Sequence, residues 1–343
     1  LGGGNHIGCF KRSFEEIISL ENLFEAWREF SCGKHGKPDV LEYERHLVDN
    51  ILALHEELSV AKYRHGIYQD FFVNDPKRRH IHKASVRDRV LHHALYRKLY
   101  TFFDQRFVAD SFSCRNWKGT HAAMNRFRDF ARKVSLNHRR TCWVLKCDIR
   151  KFFASIDQNT LLGILRRYIF DERIFDLLRT IVTSYPKMDS RLRGNDGGIG
   201  LPLGNLTSQL LANAYMNEFD QFVKHELRVK YYLRYADDFV FLHHEKQYLE
   251  CLLPVIDDFL CRRLKLQLHP DKVFIETLAS GVDFLGWVHF SDHRILRTAT
   301  KKRMMRRLLE ESSKERTTSY LGLCSHGNAS KLIASFTPIC WSS

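Results

Sequence analysis

The aspartate doublet Asp237-Asp238, inside Tyr235-Ala236-Asp237-Asp238, lies between two apolar runs of strand character, Tyr231 to Leu233 and Phe239 to Leu242. Neighbouring side chains on a regular strand point to opposite faces, so a doublet at a tight turn between strands crowds negative charge into one corner. Such crowding is costly unless a cation is present. The stretch therefore predicts an antiparallel hairpin built to hold metal. A second doublet, Asp257-Asp258, works as an internal control. Its surroundings, Leu253 to Leu260, have helical apolar spacing, and a solvated helix face accounts for it.

What distinguishes the first doublet is a distant partner. Thr141 to Ile149 reads as an apolar strand that carries one carboxylate, Asp148, near its end. Two strand-borne acidic sites so far apart in sequence meet only by tertiary pairing. Gathering three carboxylates suits in-line phosphoryl transfer, where two Mg²⁺ ions about 4 Å apart stabilise the attacking and leaving oxygens. Mg²⁺ takes oxygen ligands and needs few protein carboxylates besides substrate phosphate. Asp148 and Asp237 are expected to bridge the ions, with Mn²⁺ as a substitute metal. Ile149 would add its backbone carbonyl, and Asp238 would balance charge.

With these residues in place the sequence resembles the reverse transcriptases, in motif order and over most of its length. Lys77-Arg78-Arg79 with Arg87-Asp88-Arg89, and Asp110 to Arg115, look like the fingers blocks. Asp148 to Phe153 resembles the first catalytic motif, and Gly200 to Gln209 the template- and nucleotide-contacting motif. Leu266 to Lys272 is similar to the palm lysine motif, and Phe284-Leu285-Gly286-Trp287 to the primer grip. The details look most like the reverse transcriptases of diversity-generating retroelements, which are related to group II intron and retron types. Three segments carry that likeness: Asp88 to Leu95, Gly204 to Gln209, and Ser319 to Gly322 with Ser325 to Asn328. Where group II intron and retroviral relatives usually have Pro-Gln-Gly, this chain has Pro202-Leu203-Gly204. A glutamine there could hydrogen-bond the incoming nucleotide or its surroundings, whereas leucine offers only shape. Losing a polar discriminator lowers selectivity, and the family implies errors concentrated opposite template adenines. The alternative is that Leu203 merely packs against the palm, with fidelity set elsewhere.

The resemblance implies further roles. Lys77, Arg79 and Arg87 supply positive charge for a triphosphate, and the family register favours Arg79. Phe153 stands where these enzymes place an aromatic gate against a ribose 2'-hydroxyl, although core packing is the plain reading of Phe152 and Phe153 alike. Gly204 and Gln209 would contact nucleotide or template. Lys272 would protonate or neutralise the leaving pyrophosphate; the ordinary reading of a lysine after a turn is a surface residue. Leu285, Gly286 and Trp287 would form the primer grip.

The formal charge of +14, from 54 Lys plus Arg against 40 Asp plus Glu, suits a polyanionic partner and predicts salt-sensitive binding. A chain of 343 residues can bury a sizeable core, which excludes a small stapled scaffold. Nine cysteines without a C-x-x-C pair read as reduced thiols, and structural zinc is not expected. The histidine pairs His92-His93 and His243-His244 read as structural or nucleic-acid-facing. No apolar run approaches the roughly 18 residues that a membrane span needs; a cytoplasmic, bacterial or phage-encoded protein is expected, with no membrane partner.

The resulting expectation is an α+β right-hand polymerase: an N-terminal helical extension over 1–60, fingers over 61–140, a palm of antiparallel sheet backed by helices over 141–290 that also holds part of the fingers, and a helical thumb over 291–343 that is short for a complete one. Helices are expected near 12–31, 41–58 and 85–103, with Asp157 capping another from Gln158. The stretch 186–198, rich in Gly, Asn and charge, resembles translated bacterial repetitive DNA and is expected to be an inserted loop. The basic run Lys301 to Leu309 is expected to be the first thumb helix, tracking the minor groove of an A-form hybrid. RNA template, DNA or cDNA primer and deoxynucleoside triphosphates would be the substrates. The closest resemblance adds a template-repeat RNA and a small basic accessory variability protein as partners. Competing expectations are a group II intron, retron or phage-defence enzyme, or a nucleic-acid-binding protein without polymerase activity.

Overall fold

The computed structural model describes residues 8–74, 78–185, 198–310, 313–330 and 332–334. Lys77 and nearly all of the expected inserted loop lie outside the described residues. The chain divides into two compact units, one drawn from Leu1–Val108, Ile149–Phe222 and Phe259–Gln267, the other from Ala109–Asp148, Val223–Asp258 and Leu268–Ser343.

The first unit begins with helices α1 (Phe14–Ile18), α2 (Leu20–Ser31), α3 (Pro38–Arg45) and α4 (Leu47–Ser59). Ser13 and Glu16 form a reciprocal capping box on α1, and Ser19 caps α2, so the first two starts are written in side chains. The single helix expected over 41–58 is two helices. His46, at φ −120° and ψ 35°, leaves helical geometry and separates α3 from α4. Strands β1 (Gln69–Val73) and β2 (Arg79–Lys83) then pair as an antiparallel hairpin. Helix α5 (Val86–Asp104) follows, capped by Ser85, one residue from the expected bounds at either end.

Asp88, in the first turn of α5, is buried and explains why that segment has its particular sequence. Its carboxylate accepts from Ser85 Oγ at 2.7 Å, Tyr63 Oη at 2.8 Å and the Gly66 amide at 3.0 Å. Although burial opposes ionisation, these donors and His65 hold it below the ordinary aspartate range. One turn on, buried His92 meets the Thr207 hydroxyl, so two of the segments that carry the family likeness touch.

The second unit contributes α6 (Thr120–Val134) and β3 (Trp143–Asp148). The chain then returns to the first unit for α7 (Phe152–Ser155), α8 (Gln158–Arg166), α9 (Glu172–Thr183) and α10 (Leu206–Gln221). Asp157 caps α8 through the Thr160 amide at 2.8 Å, as expected. Strands β4 (Tyr232–Tyr235) and β5 (Asp238–His243) belong to the second unit, and α11 (Lys246–Leu264) carries Asp257-Asp258 on a helix as the control predicts. After β6 (Phe274–Thr277) come β7 (Val282–Phe284), β8 (Trp287–His289), β9 (Arg294–Leu296), α12 (Thr298–Glu310) and α13 (Lys314–Cys324).

Within the second unit, β4-β5-β3-β6 form an antiparallel sheet. Helix α6 covers it with Ala123, Phe127, Phe130, Ala131 and Val134, which pack with Val144, Leu233, Val240 and Leu242 of the strands. A smaller sheet, β7-β8-β9, leads into α12 and α13. These helices bury Met304, Leu308 and Cys324 around Trp287. Among the described residues, no helix is long and apolar enough to cross a membrane.

Candidate active site

Register creates the acidic corner. In β3, Asp148 lies directly opposite Asp238 of β5, and Tyr235 of β4 lies opposite the same Asp238. The β4–β5 connection is therefore the two-residue turn Ala236-Asp237. Ala236 takes φ +57°, a left-handed conformation that alanine adopts only at a cost, so the surroundings must hold the turn. Arg234 supplies one such hold. Its side chain is fully buried and donates to the Ala236 carbonyl at 3.0 Å and to Ser111 Oγ at 3.1 Å, while its amide donates to the Asp110 carbonyl at 2.9 Å.

Like charges directly opposite across a sheet are destabilising. Two ammonium groups offset them here. Lys272 Nζ lies 2.8 Å from Asp148 Oδ1, and Lys146 Nζ lies 3.5 Å from Asp238 Oδ2 while donating to the Asp283 carbonyl at 2.7 Å. Compensation is incomplete. Asp238 Oδ1 is buried with no hydrogen-bond partner, and its carboxyl is pushed up to about 7 by burial, with Asp148 and Asp237 adding to the rise and Lys146 opposing it. An orphaned carboxylate oxygen among acids fits a set of oxygen donors meant for a hard divalent cation. The three aspartates are nonetheless not drawn tightly together. Among the described residues, the group of three possible metal ligands whose donor atoms all lie within 4.8 Å of one another is Asp70, His80 and His82.

Ile149 continues β3 beyond Asp148 and is buried. Phe152 packs inside the first unit, whereas Phe153 is half-exposed, and its carbonyl accepts the Leu201 amide at 2.8 Å. Leu203 is half-buried, with its carbonyl taking the His82 amide at 2.9 Å; the exposed Gly204 follows at φ +113°, where a Cβ would press on Ile81 at 3.0 Å. Phe153, the Pro202-Leu203-Gly204 loop and β2 thus form one locality of the first unit. Arg79 is exposed on β2, and Gln209 is half-buried in α10. Arg87 is engaged elsewhere, with Glu57 at 2.6 Å and the Arg64 carbonyl. Leu285 and Gly286, at φ +55° and +84°, make the tight turn between β7 and β8, the sign pattern of a type I′ hairpin. Trp287 is 1% exposed and belongs to the core around α12 and α13, which leaves the Leu285-Gly286 turn as the reachable part of that segment.

Sequence reasoning missed Lys146 and Arg234. Each carried a signal: a cation in an otherwise apolar strand, spaced by two or four residues from an expected metal ligand.

The architecture is of the mixed α+β class, an antiparallel sheet backed by a helix with carboxylates at one end of its central strands. Residues 74–289 match the family described as reverse transcriptase (RNA-dependent DNA polymerase), and the chain belongs to that family. It is similar to Protein YkfC of Escherichia coli, 26% identical over 256 residues that cover 65% of this chain and 64% of that protein. It is also similar to the group II intron-encoded protein LtrA of Lactococcus lactis subsp. cremoris, 22% identical over 301 residues, covering 67% of this chain and 47% of that protein. The chain thus spans less than two thirds of the length of either relative. A solved structure of telomerase from Candida albicans with a fragment of telomeric RNA aligns at a TM-score of 0.49 and 10% identity, covering 68% of this chain and 47% of that one.

Proposed function

We propose that the chain is an RNA-directed DNA polymerase, extending a DNA or cDNA primer on an RNA template with deoxynucleoside triphosphates. The observation that carries this reading is the pairing of Asp148 with Asp238 beside the Asp237 turn, with a buried carboxylate oxygen left unsatisfied. Asp148, Asp237, Asp238 and the Ile149 carbonyl would hold Mg²⁺, which would stabilise the attacking and leaving oxygens. Lys272 neutralises Asp148 in the resting protein and turns to the leaving pyrophosphate during the reaction. Lys77 and Arg79 take the triphosphate, which Arg79 can meet from its exposed position on β2. Phe153 stands against the ribose, Leu203, Gly204 and Gln209 line the nucleotide and template, and the Leu285-Gly286 turn supports the primer.

Primer extension on an RNA template with Mg²⁺ tests this. Wild-type protein should extend the primer, and Asp237→Asn should lower the rate roughly 10²–10³-fold, the effect of removing one preorganised electrostatic group. Failure of the wild type with both Mg²⁺ and Mn²⁺, with accessory protein supplied, would leave nucleic-acid binding alone.

The finer reading is a diversity-generating enzyme, error-prone opposite template adenines and working with a template-repeat RNA and a small basic accessory protein. Leu203 in place of glutamine supports it. Sequencing cDNA made by wild type and Leu203→Gln should show fewer errors at adenines in the variant. Identical error spectra would remove the role given to Leu203 and favour an intron-type enzyme, the reading that similarity to the intron-encoded LtrA supports.

A further inference from the structure

We propose that one face of the β1–β2 hairpin binds a divalent transition-metal ion of the zinc class through Asp70, His80 and His82. The antiparallel register sets Asp70 opposite His82 and Phe72 opposite His80. Since alternate residues of a strand share a face, all four side chains project to the same side. The donor atoms of Asp70, His80 and His82 lie within 4.8 Å of one another, with Asp70 Oδ2 3.5 Å from His80 Nε2 and Asp70 Oδ1 3.9 Å from His82 Nε2. Tetrahedral zinc, with bonds of about 2.0–2.1 Å, needs donors roughly 3.4 Å apart. Small side-chain rotations close the difference.

The chemistry of the donors selects the metal. Two imidazoles and one carboxylate suit zinc and its neighbours, whereas Mg²⁺ prefers oxygen alone. Three protein ligands leave a fourth position for water. The two rings are also held in place. Phe72 stacks on His80 at 4.6 Å and 13°, and Tyr185 meets His82 edge-on at 4.8 Å with its hydroxyl 3.4 Å from Nε2. His82 is buried, and it is its Nε2 that faces Asp70. Burial holds this ring below the usual histidine range against the pull of Asp70.

The ion would act as a clip across the hairpin. Because the His82 amide donates to the Leu203 carbonyl, the clip would also steady the loop containing Leu203. Binding itself requires neither template nor polymerase activity, so the inference stands or falls separately from the proposed function.

The test uses tag-free full chain, stripped by chelator and held in millimolar Mg²⁺ to saturate the carboxylate corner, then titrated with Zn²⁺ by calorimetry and with Co²⁺ by visible absorption. One Zn²⁺ per chain and a tetrahedral Co²⁺ spectrum are expected. His80→Gln, at a half-exposed side chain, should weaken Zn²⁺ binding by more than the roughly 10–100-fold that loss of an outer-shell partner costs and abolish the Co²⁺ bands without altering circular dichroism, and Asp70→Asn should weaken binding too. Absence of stoichiometric Zn²⁺, or binding that His80→Gln leaves unchanged, would reduce the cluster to an ordinary histidine–aspartate contact and overturn the proposal.

Discussion

The β4–β5 hairpin presents Asp238 opposite Asp148 on the neighbouring strand, whereas the β1–β2 hairpin presents Asp70 opposite His82. In the first, like charges face each other, and the fold brings Lys146, Lys272 and the buried Arg234 to the corner. In the second, an aspartate faces an imidazole rather than another acid and β1 is exposed, so no buried cation is needed. The contrast separates two ways of preparing for a metal. A corner of acids is unstable by itself and demands scaffolding, while a histidine–aspartate group is tolerated with or without an ion.

That contrast can be broken by mutation. Asp238→Asn should remove a half-buried carboxylate whose Oδ1 is unsatisfied, leaving Tm unchanged or raised while primer extension falls roughly 10²–10³-fold; a fall in Tm would mean that the acid is structural. Arg234→Gln should destabilise the protein by about 1–3 kcal/mol by stripping buried hydrogen bonds from the strained turn, measured by denaturant unfolding. Asp70→Asn in chelated protein should change stability by less than about 0.5 kcal/mol, in keeping with its exposure.

A pH series sharpens the picture between these extremes. Burial lowers His92 to about 3 and both His93 and His289 to about 4, so these rings are neutral in the folded protein but titrate near 6.5 when unfolded. The unfolded chain then binds more protons below 6.5. Their contribution is complete above that pH and is lost as pH falls towards about 4, at a slope near 1.4 kcal/mol per pH unit for His92 alone. Thermal melts from pH 7 to pH 5 should fall accordingly, and His92→Asn should flatten the slope.

Local pattern made the acidic hairpin legible. Asp237-Asp238 sits between apolar runs, Asp148 ends an apolar strand, and Asp157 precedes helical spacing; each can be read within about ten residues. The α3–α4 break was not, because nothing near His46 resembles a proline or glycine stop. The Asp70, His80 and His82 group was equally hidden. No ligand-spacing motif joins those residues, and only the strand register brings position 70 across from 82. Trp287 illustrates a third limit, since a motif match names a segment while packing decides which of its side chains remain reachable.

Diffraction from crystals soaked in Mn²⁺, recorded for anomalous signal, tests the acidic corner most directly. An anomalous peak about 2 Å from carboxylate oxygens of both Asp148 and Asp237 is the predicted result. A peak confined to Asp70, His80 and His82, with none shared by the two aspartates, would contradict it.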